Sequence, residues 1–201
     1  MNRRAILLSS LAILMLFASI APVFGCRERE WERGTFTQGI VQFNTSSGAQ
    51  WMTGNILHAI GGSAISYVYG SPWGNSLSGS GTTVYFELDT VSLIGRSVDT
   101  VVDTYAKGTV VGTIFNKING AGPYTYFGPT FTFNLDGKTG TITQGATYVG
   151  GLISGFATKY GISGDLKGLR TIETYTGVNI KVGPLAGVIV IDNTVSYQLR
   201  G

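Results

Sequence analysis

Apolar and polar side chains alternate along most of the chain after residue 33, with the period of two that is typical of half-buried β-strands. In the clearest example, Val84, Phe86 and Leu88 are predicted to share one strand face, with tyrosine and glutamate between them. The stretch 188–199 predicts the longest strand of the chain. Because no segment of the domain has a helical period of apolar residues, the pattern predicts an all-β fold.

Short glycine-containing segments separate the predicted strands. The dipeptides Asn-Gly at 119–120 and Asp-Gly at 136–137 are of the kind that two-residue β-hairpin turns prefer. The segment 70–81 is rich in glycine and serine and predicts a loop that contains Trp73. This tryptophan is either a lid or rim contact, or a side chain that folds back over one end of the domain. We favour the second interpretation.

A sheet of this many strands must hide its edges, either as a sandwich or as a closed barrel. The composition suits a folded all-β chain, since 30 of 201 residues are glycine and only 12% are charged. The glycine turns and the long last strand favour the barrel. We therefore predict a single antiparallel closed β-barrel of about eight strands over residues 34–201, with an interior that is filled by side chains or holds one small ligand.

Residues 1–25 have the features of an export segment. A short positive start precedes an almost wholly apolar run, which predicts an N-terminal hydrophobic helix. This helix is either a cleaved signal peptide or an uncleaved membrane anchor, because the run is just long enough to span a bilayer. Both alternatives place the domain outside the cytoplasm, either secreted or anchored at the cell surface.

Cys26 is the only cysteine and directly follows the export segment. This position makes Cys26 a candidate for lipidation, although a bacterial-type lipobox would have a small residue at Phe24. Residues 26–33 are predicted to form a charged tether between the membrane and the barrel. With a single cysteine, the chain forms no internal disulfide, so its core must stabilise the domain.

The segment 139–177 combines a predicted strand, a Gly-Asp-Leu-x-Gly-Leu corner at 164–169 and a threonine-rich strand that ends in Tyr-x-Gly. It resembles the allene oxide cyclase-like (dirigent-like) β-barrel families, over roughly the C-terminal third of the chain. The resemblance implies an eight-stranded antiparallel barrel with a central cavity, in families that include cyclases, stereochemical guides and proteins of no known activity. The catalytic residues of the cyclases cannot be placed on this sequence one by one, so none is carried over.

Charge and motif content exclude several classes of function. The chain has 14 basic and 11 acidic residues, but Arg3 and Arg4 belong to the export segment, which leaves 12 against 11 and no basic stripe. One histidine and one cysteine do not make a zinc site, and no glycine-rich nucleotide motif follows a predicted strand. We therefore predict no nucleic-acid partner, no metal and no cofactor.

Three residues are candidates for proton transfer. Glu87 and Asp89 lie on one predicted strand face, and paired carboxylates do acid–base work when one of them is desolvated. The alternative, which we favour, is that they form the solvent face of that strand. His58, the only histidine, shares a predicted face with Ile56 and Ile60, and inside a barrel it could carry a proton. We favour a hydrogen-bonded core or rim histidine instead.

Three functions follow as alternatives. The first, which we favour, is a non-catalytic exported barrel that binds a small apolar ligand, because aromatic and β-branched residues far outnumber candidate catalytic groups. The second is a cyclase- or isomerase-type enzyme that acts by confining its substrate, with His58 or Glu87 handling a proton. The third is a structural envelope protein. An apolar cavity would favour the binder, inward-pointing polar groups the enzyme, and a solidly packed interior the structural role.

Overall fold

The computed structural model describes residues 31–200, apart from the side chains of residues 76–78. In this part of the chain every regular element is a β-strand except one 3₁₀ turn, Gly164–Leu166, and every strand pair is antiparallel. The predicted all-β antiparallel fold is therefore confirmed. The strands are β1 (Trp31–Ser46), β2 (Ala49–Thr53), β3 (Ile56–Ile60), β4 (Ser63–Tyr69), β5 (Ser76–Asp89), β6 (Ile94–Tyr105), β7 (Gly108–Thr125), β8 (Phe131–Leu135), β9 (Lys138–Ile142), β10 (Thr147–Gly161), β11 (Arg170–Ile180) and β12 (Val188–Arg200).

Eight of these strands form a ring. Their order is β1, β4, β5, β6, β7, β10, β11 and β12, and β12 pairs again with β1, so each ring strand has a hydrogen-bonded partner on both sides. β1 begins earlier than predicted, because residues 31–33 pair with the end of β12 instead of belonging to the tether. The predicted export segment 1–25 and Cys26 lie outside the described residues. Within residues 31–200, no helix is long and apolar enough to cross a membrane.

Two hairpins add to the ring. β2 and β3 pair with each other, and β3 also pairs with the C-terminal half of β5. β8 and β9 form a separate two-stranded sheet that covers part of the outer face of the ring. Their Phe131, Phe133 and Ile142 share one buried cluster with the ring residues Val41 and Val190. The hairpin therefore removes from water the apolar side chains that these ring strands direct outward.

A β-bulge changes the predicted alternation in β5. The pairing of β5 with β6 shifts between Thr83 and Tyr85, which adds one residue to β5 at this point. As a result Thr83 and Phe86 both face the inside of the ring, whereas Val84 is 54% exposed. The prediction that Val84 and Phe86 share a face is therefore wrong, because a bulge reverses the side-chain period wherever it occurs.

Aromatic side chains close one end of the ring. Trp73 lies in the loop between β4 and β5, is only 5% exposed, and packs edge-on against Phe36, Tyr105 and Tyr197 at ring-centroid distances of 5.0, 5.7 and 5.6 Å. These rings come from β1, β6 and β12. The prediction that Trp73 folds back over one end of the domain is confirmed.

The glycine-rich corner between β10 and β11 closes the same end. Its Leu166 and Leu169 are buried in one cluster with Trp73. Gly164 has a φ of +60°, and a Cβ atom there would clash with the carbonyl oxygen of Lys107 in the β6–β7 turn. A side chain at this position would therefore be both strained and obstructed, which explains why the close approach of the two turns uses glycine.

Candidate functional site

A cavity of about 180 Å³ lies inside the strand ring. An eight-stranded ring is just wide enough for its inward side chains to fill it or to leave room for one small ligand. The wall combines nine isoleucine and valine residues with thirteen polar or charged ones. The isoleucine and valine residues include Ile40, Val101, Ile114, Ile153, Ile189 and Ile191.

Three charged side chains form an ion cluster that lines the cavity. Lys159 Nζ lies 2.9 Å from Asp103 Oδ2 and 3.1 Å from Glu173 Oε2, and all three side chains are at most 3% exposed. They project from β10, β6 and β11, which lie close together in the sheet because β10 pairs with β11 and both β6 and β10 pair with β7. Glu173 also accepts hydrogen bonds from Thr171 (3.0 Å) and Asn193 (2.8 Å). We refer to Asp103, Lys159 and Glu173 as the ion cluster.

The surroundings of Lys159 determine its protonation. Burial alone lowers the pKa of Lys159, but the adjacent carboxylates of Asp103 and Glu173 outweigh this effect and hold the pKa well above its ordinary value. Lys159 is therefore an ammonium group at every physiological pH. It can neutralise and orient other groups, but it does not act as a base.

Two glycines make room for inward side chains. A Cβ atom at Gly112 would lie 2.6 Å from Lys159 Cγ, and one at Gly155 would lie 2.8 Å from Tyr175 Cζ. Both distances are shorter than a van der Waals contact allows, so only glycine fits at these two positions. This explains part of the high glycine content of the chain. The stem of Lys159 and the ring of Tyr175 occupy the volume that side chains at these positions would fill.

A second polar group lines the cavity around Asp99. Ser97 and Asn116 donate hydrogen bonds to its carboxylate at 2.9 and 2.6 Å, and Tyr175 donates to Asn116 Oδ1 at 2.5 Å. Burial raises the pKa of Asp99, and hydrogen bonds from Ser97, Thr83 and Asn116 offset this only in part. Among the carboxylates of the cavity, Asp99 is the one that Lys159 does not contact.

The raised pKa of Asp99 predicts a pH-dependent effect of Asp99→Asn. Because the folded state binds this proton more tightly than the unfolded state, the contribution of Asp99 to stability is lost as the pH rises from the unfolded pKa of about 3.9 through the folded pKa. Asparagine does not titrate, so the variant should gain stability relative to the wild type between pH 4 and pH 7.5. Urea unfolding at both pH values measures this, with the exposed Asp136→Asn as control. An equal difference at both pH values would contradict it.

Two amide oxygens of the cavity lack a partner. Asn193 is 2% exposed and its Nδ2 donates to Glu173, which leaves its Oδ1 without a hydrogen bond from any described residue. Asn179 Oδ1 is likewise buried, with no donor among residues 31–200. Buried acceptors without a donor are costly, so these oxygens mark places where a bound molecule could donate a hydrogen bond.

The three residues predicted from sequence do not line this cavity. His58 and Glu87 are direct cross-strand partners on the outer side of β3 and β5. Trp51 stacks on His58 at 5.3 Å, and Arg96 lies 3.4 Å from the Glu87 carboxylate. The structure thus brings two of the predicted residues together, but in contact with solvent.

Asp89 lies apart from that pair at the end of β5. Its Oδ1 accepts hydrogen bonds from the backbone N–H groups of Val91 and Ser92 at 2.8 and 3.0 Å. The bonds from Ser92 and Val91 lower the pKa of Asp89. Asp89 therefore stabilises the turn into β6, which is a common structural use of an aspartate.

Sequence reasoning did not identify the ion cluster. A signal was present, because Asp103 falls on the same strand face as the apolar Val101 and Tyr105 when side chains alternate. Glu173 falls in the same way on one face with Tyr175. A charged residue on an otherwise buried strand face requires a buried partner. The identity of that partner, Lys159, depends on strands that are far apart in the sequence.

Comparisons with known proteins do not assign an activity to this cavity. No protein-family model matches the chain, and no curated protein or solved structure matches it significantly. Within residues 31–200, no group of three or more His, Cys, Asp and Glu side chains is placed to hold a metal ion. The function must therefore be inferred from the cavity itself.

Proposed function

We propose that this protein is an exported β-barrel that binds one small, mainly apolar organic molecule inside the strand ring. The observation that carries the proposal is the 180 Å³ cavity, to whose wall nine isoleucine and valine residues contribute. An apolar cavity of about 150 Å³ engineered into another protein binds benzene. The cavity is therefore of the size that accepts a ligand of about six to nine non-hydrogen atoms.

The proposal includes a closed barrel of the allene oxide cyclase-like kind, and the ring of eight strands supports this part of it. Eight antiparallel strands with partners on both sides are the number and arrangement that such a barrel requires. Trp73 and the glycine-rich corner cover one end. A ligand would therefore enter from the other end, where Asn44 and Phe86 line the cavity.

Binding of small aromatic and branched aliphatic compounds tests the proposal. Ligand-observed NMR should detect at least one compound with a Kd of about 1 mM or tighter. Ala157→Leu adds a side chain into the cavity and should weaken binding about tenfold or more, because leucine would occupy the ligand's place. Thr158→Leu, on the outer face next to it, is the matched control and should leave binding unchanged. If no compound binds, or if both variants weaken binding equally, the proposal is wrong.

An enzyme of the cyclase or isomerase type is the second candidate. The observation in its favour is that polar groups point into the cavity, with Asp99 and Tyr175 within one hydrogen-bonded group. Asp99 would handle the proton, and the ammonium of Lys159 would stabilise negative charge. Turnover of a small epoxide that is lost in Asp99→Asn and retained in His58→Ala would favour the enzyme over the binder. The structural envelope role, tied to a solidly packed interior, gains no support from the cavity.

We further propose that the domain is tethered to a membrane through its N-terminal segment or a lipidated Cys26. The end of the ring where β1 begins carries five exposed basic residues and two exposed acidic ones, and such an end suits an anionic lipid surface. The basic residues are Arg33, Lys107, Lys167, Arg170 and Arg200, and the acidic ones are Glu32 and Asp165.

Cell fractionation distinguishes the two forms of tether. If Cys26 carries the lipid, Cys26→Ser should release the protein from membranes into the medium, because the remaining surface contacts are weak and screened by salt. An uncleaved anchor predicts that the same variant stays in the membrane with its N-terminal residues attached. Wild-type protein that is already soluble and begins at Cys26 would contradict both.

A further inference from the structure

The charges inside the ring do not balance. Three carboxylates line the cavity, those of Asp99, Asp103 and Glu173, but Lys159 is the only basic residue among the lining side chains. Lys159 contacts Asp103 and Glu173, so Asp99 has no cationic partner there. Buried charges in folded proteins are normally paired, because an unpaired charge loses its hydration without compensation. The interior therefore favours the entry of one positive charge or proton.

The unpartnered hydrogen-bonding groups of the cavity also favour a ligand that carries hydrogen-bond donors. The unpartnered side-chain atoms that line it are oxygens, Oδ1 of Asn179 and Oδ1 of Asn193, within the described part of the chain. The assignment of Asn193 follows from chemistry, because only its Nδ2 can donate to the Glu173 carboxylate. Acceptors cannot satisfy one another, so their donors come from water or from a bound molecule.

We propose that the ligand of this cavity is a small organic cation, a primary ammonium group on an apolar body. The ammonium would pair with Asp99, and the body would pack against the isoleucines of the wall. An ammonium has three donors and supplies one positive charge, for the one carboxylate of the cavity that Lys159 does not contact. The inference rests on the proposed function, since it names the class of ligand that the same cavity binds.

A metal ion fits the cavity less well than an organic cation. The described residues place no group of three or more His, Cys, Asp and Glu side chains where it could hold a metal ion, and the groups that Asp99 contacts, Ser97 and Asn116, are hydrogen-bond donors to its carboxylate. The volume of 180 Å³ also far exceeds what one ion needs, whereas an aromatic ring with one short substituent would use it. The volume of the cavity and the charge of its lining therefore both favour an organic cation over a metal ion.

Three compounds of nearly equal shape test the inference. Each is titrated calorimetrically into the full-length protein at pH 7. These are benzylamine, which is a cation at this pH, and the neutral benzyl alcohol and toluene. Benzylamine should bind about tenfold tighter than either neutral compound, because a hydrogen bond to a charged group contributes more than a neutral one. Asp99→Asn should abolish this preference and leave toluene binding within a few-fold of the wild type. Asp136→Asn, on an exposed hairpin turn, should keep the preference.

The outcomes separate this inference from the proposed function. If the neutral compounds bind as tightly as benzylamine, or more tightly, the cation proposal is wrong and the proposed binding function stands. If none of the three binds, the cation proposal is wrong, and the wider set of aromatic and branched aliphatic compounds decides whether the proposed binding function is wrong as well. Should Asp99→Asn fail to fold, the comparison of the three compounds on the wild type decides by itself. A preference for benzylamine that survives in folded Asp99→Asn would also overturn the role given to Asp99.

Discussion

Lys159→Met should lower the free energy of unfolding by about 3–5 kcal/mol. The substitution keeps most of the volume of the side chain but removes the ammonium that lies 2.9 Å from Asp103 and 3.1 Å from Glu173. Two carboxylates would then remain buried without a cation, which costs far more than the pair itself contributes. Chemical denaturation at neutral pH measures the loss.

Lys117→Met is the matched control for this prediction. Lys117 lies on β7 and is exposed, so the same substitution there should change stability by no more than about 0.5 kcal/mol. Adding Asp103→Asn and Glu173→Gln to Lys159→Met should recover part of the loss, because neutral amides need no counter-charge. A Lys159→Met protein as stable as the Lys117→Met protein would show that the ion cluster is not formed.

The contribution of Lys159 to stability should be insensitive to pH around neutrality. Because the pKa of Lys159 is raised in the folded state, its contribution to stability is fully present below the unfolded pKa of about 10.4 and is lost only as the pH rises above that value. The pKa of Asp99 is also raised, so its contribution is likewise lost as the pH rises, but from the unfolded pKa of about 3.9 upward. The two polar groups of the cavity are therefore separable by pH.

Trp73→Ala should lower the free energy of unfolding by about 3–5 kcal/mol, the usual cost of truncating a buried aromatic side chain. Trp73 contacts three other rings at the closed end of the ring, those of Phe36, Tyr105 and Tyr197. Removing the indole would also open the closed end of the ring to solvent. Thermal and chemical denaturation both measure the change.

Trp51→Ala offers the same substitution at an exposed position. Trp51 is 47% exposed and stacks on His58 only, so its truncation should cost about 1 kcal/mol or less. Similar losses for the two tryptophans would mean that the loop of Trp73 does not close the ring. A large loss for Trp73 alone would show that the closed end is part of the core.

Closure at one end and charge in the interior have a joint consequence for function. Trp73 and the glycine-rich corner seal the cavity from one side, so the ion cluster and Asp99 are largely withdrawn from water. Electrostatic interactions strengthen when water is excluded. A ligand in this cavity would therefore be selected by charge as well as by shape, which is the basis of the cation proposal.

Much of the fold could be predicted from the sequence because it depends on local patterns. The alternation over 188–199 and the dipeptide at 136–137 predicted a strand and a turn where the structure has β12 and the β8–β9 turn. The turn predicted at Asn119-Gly120 is wrong, because both residues lie inside β7, where the pairing with β10 shifts register. The period of two is a property of the strand backbone itself, so a half-buried strand records it in its own residues. Where a bulge interrupts that backbone, as at Thr83, the local pattern misleads.

The candidate site could not be predicted in the same way. His58 and Glu87 were selected because their residue types carry chemistry, but their strand faces point out of the ring, and only the pairing of β3 with β5 shows this. Lys159, Asp103 and Glu173 each appear in the sequence as a single charge on a separate strand. No spacing rule connects them, since 56 residues separate Asp103 from Lys159.

The sequence by itself determined that this chain is an antiparallel β protein with a glycine-rich corner, and it favoured a loop tryptophan that folds back over one end of the domain. It did so because strand periodicity, turn residues and apolar composition act over a few neighbouring residues. The tertiary structure alone decided which face of each strand is the interior, which charges pair there and how much space remains. Those properties depend on strand order and register around the ring, and residues that are distant in the chain set them together.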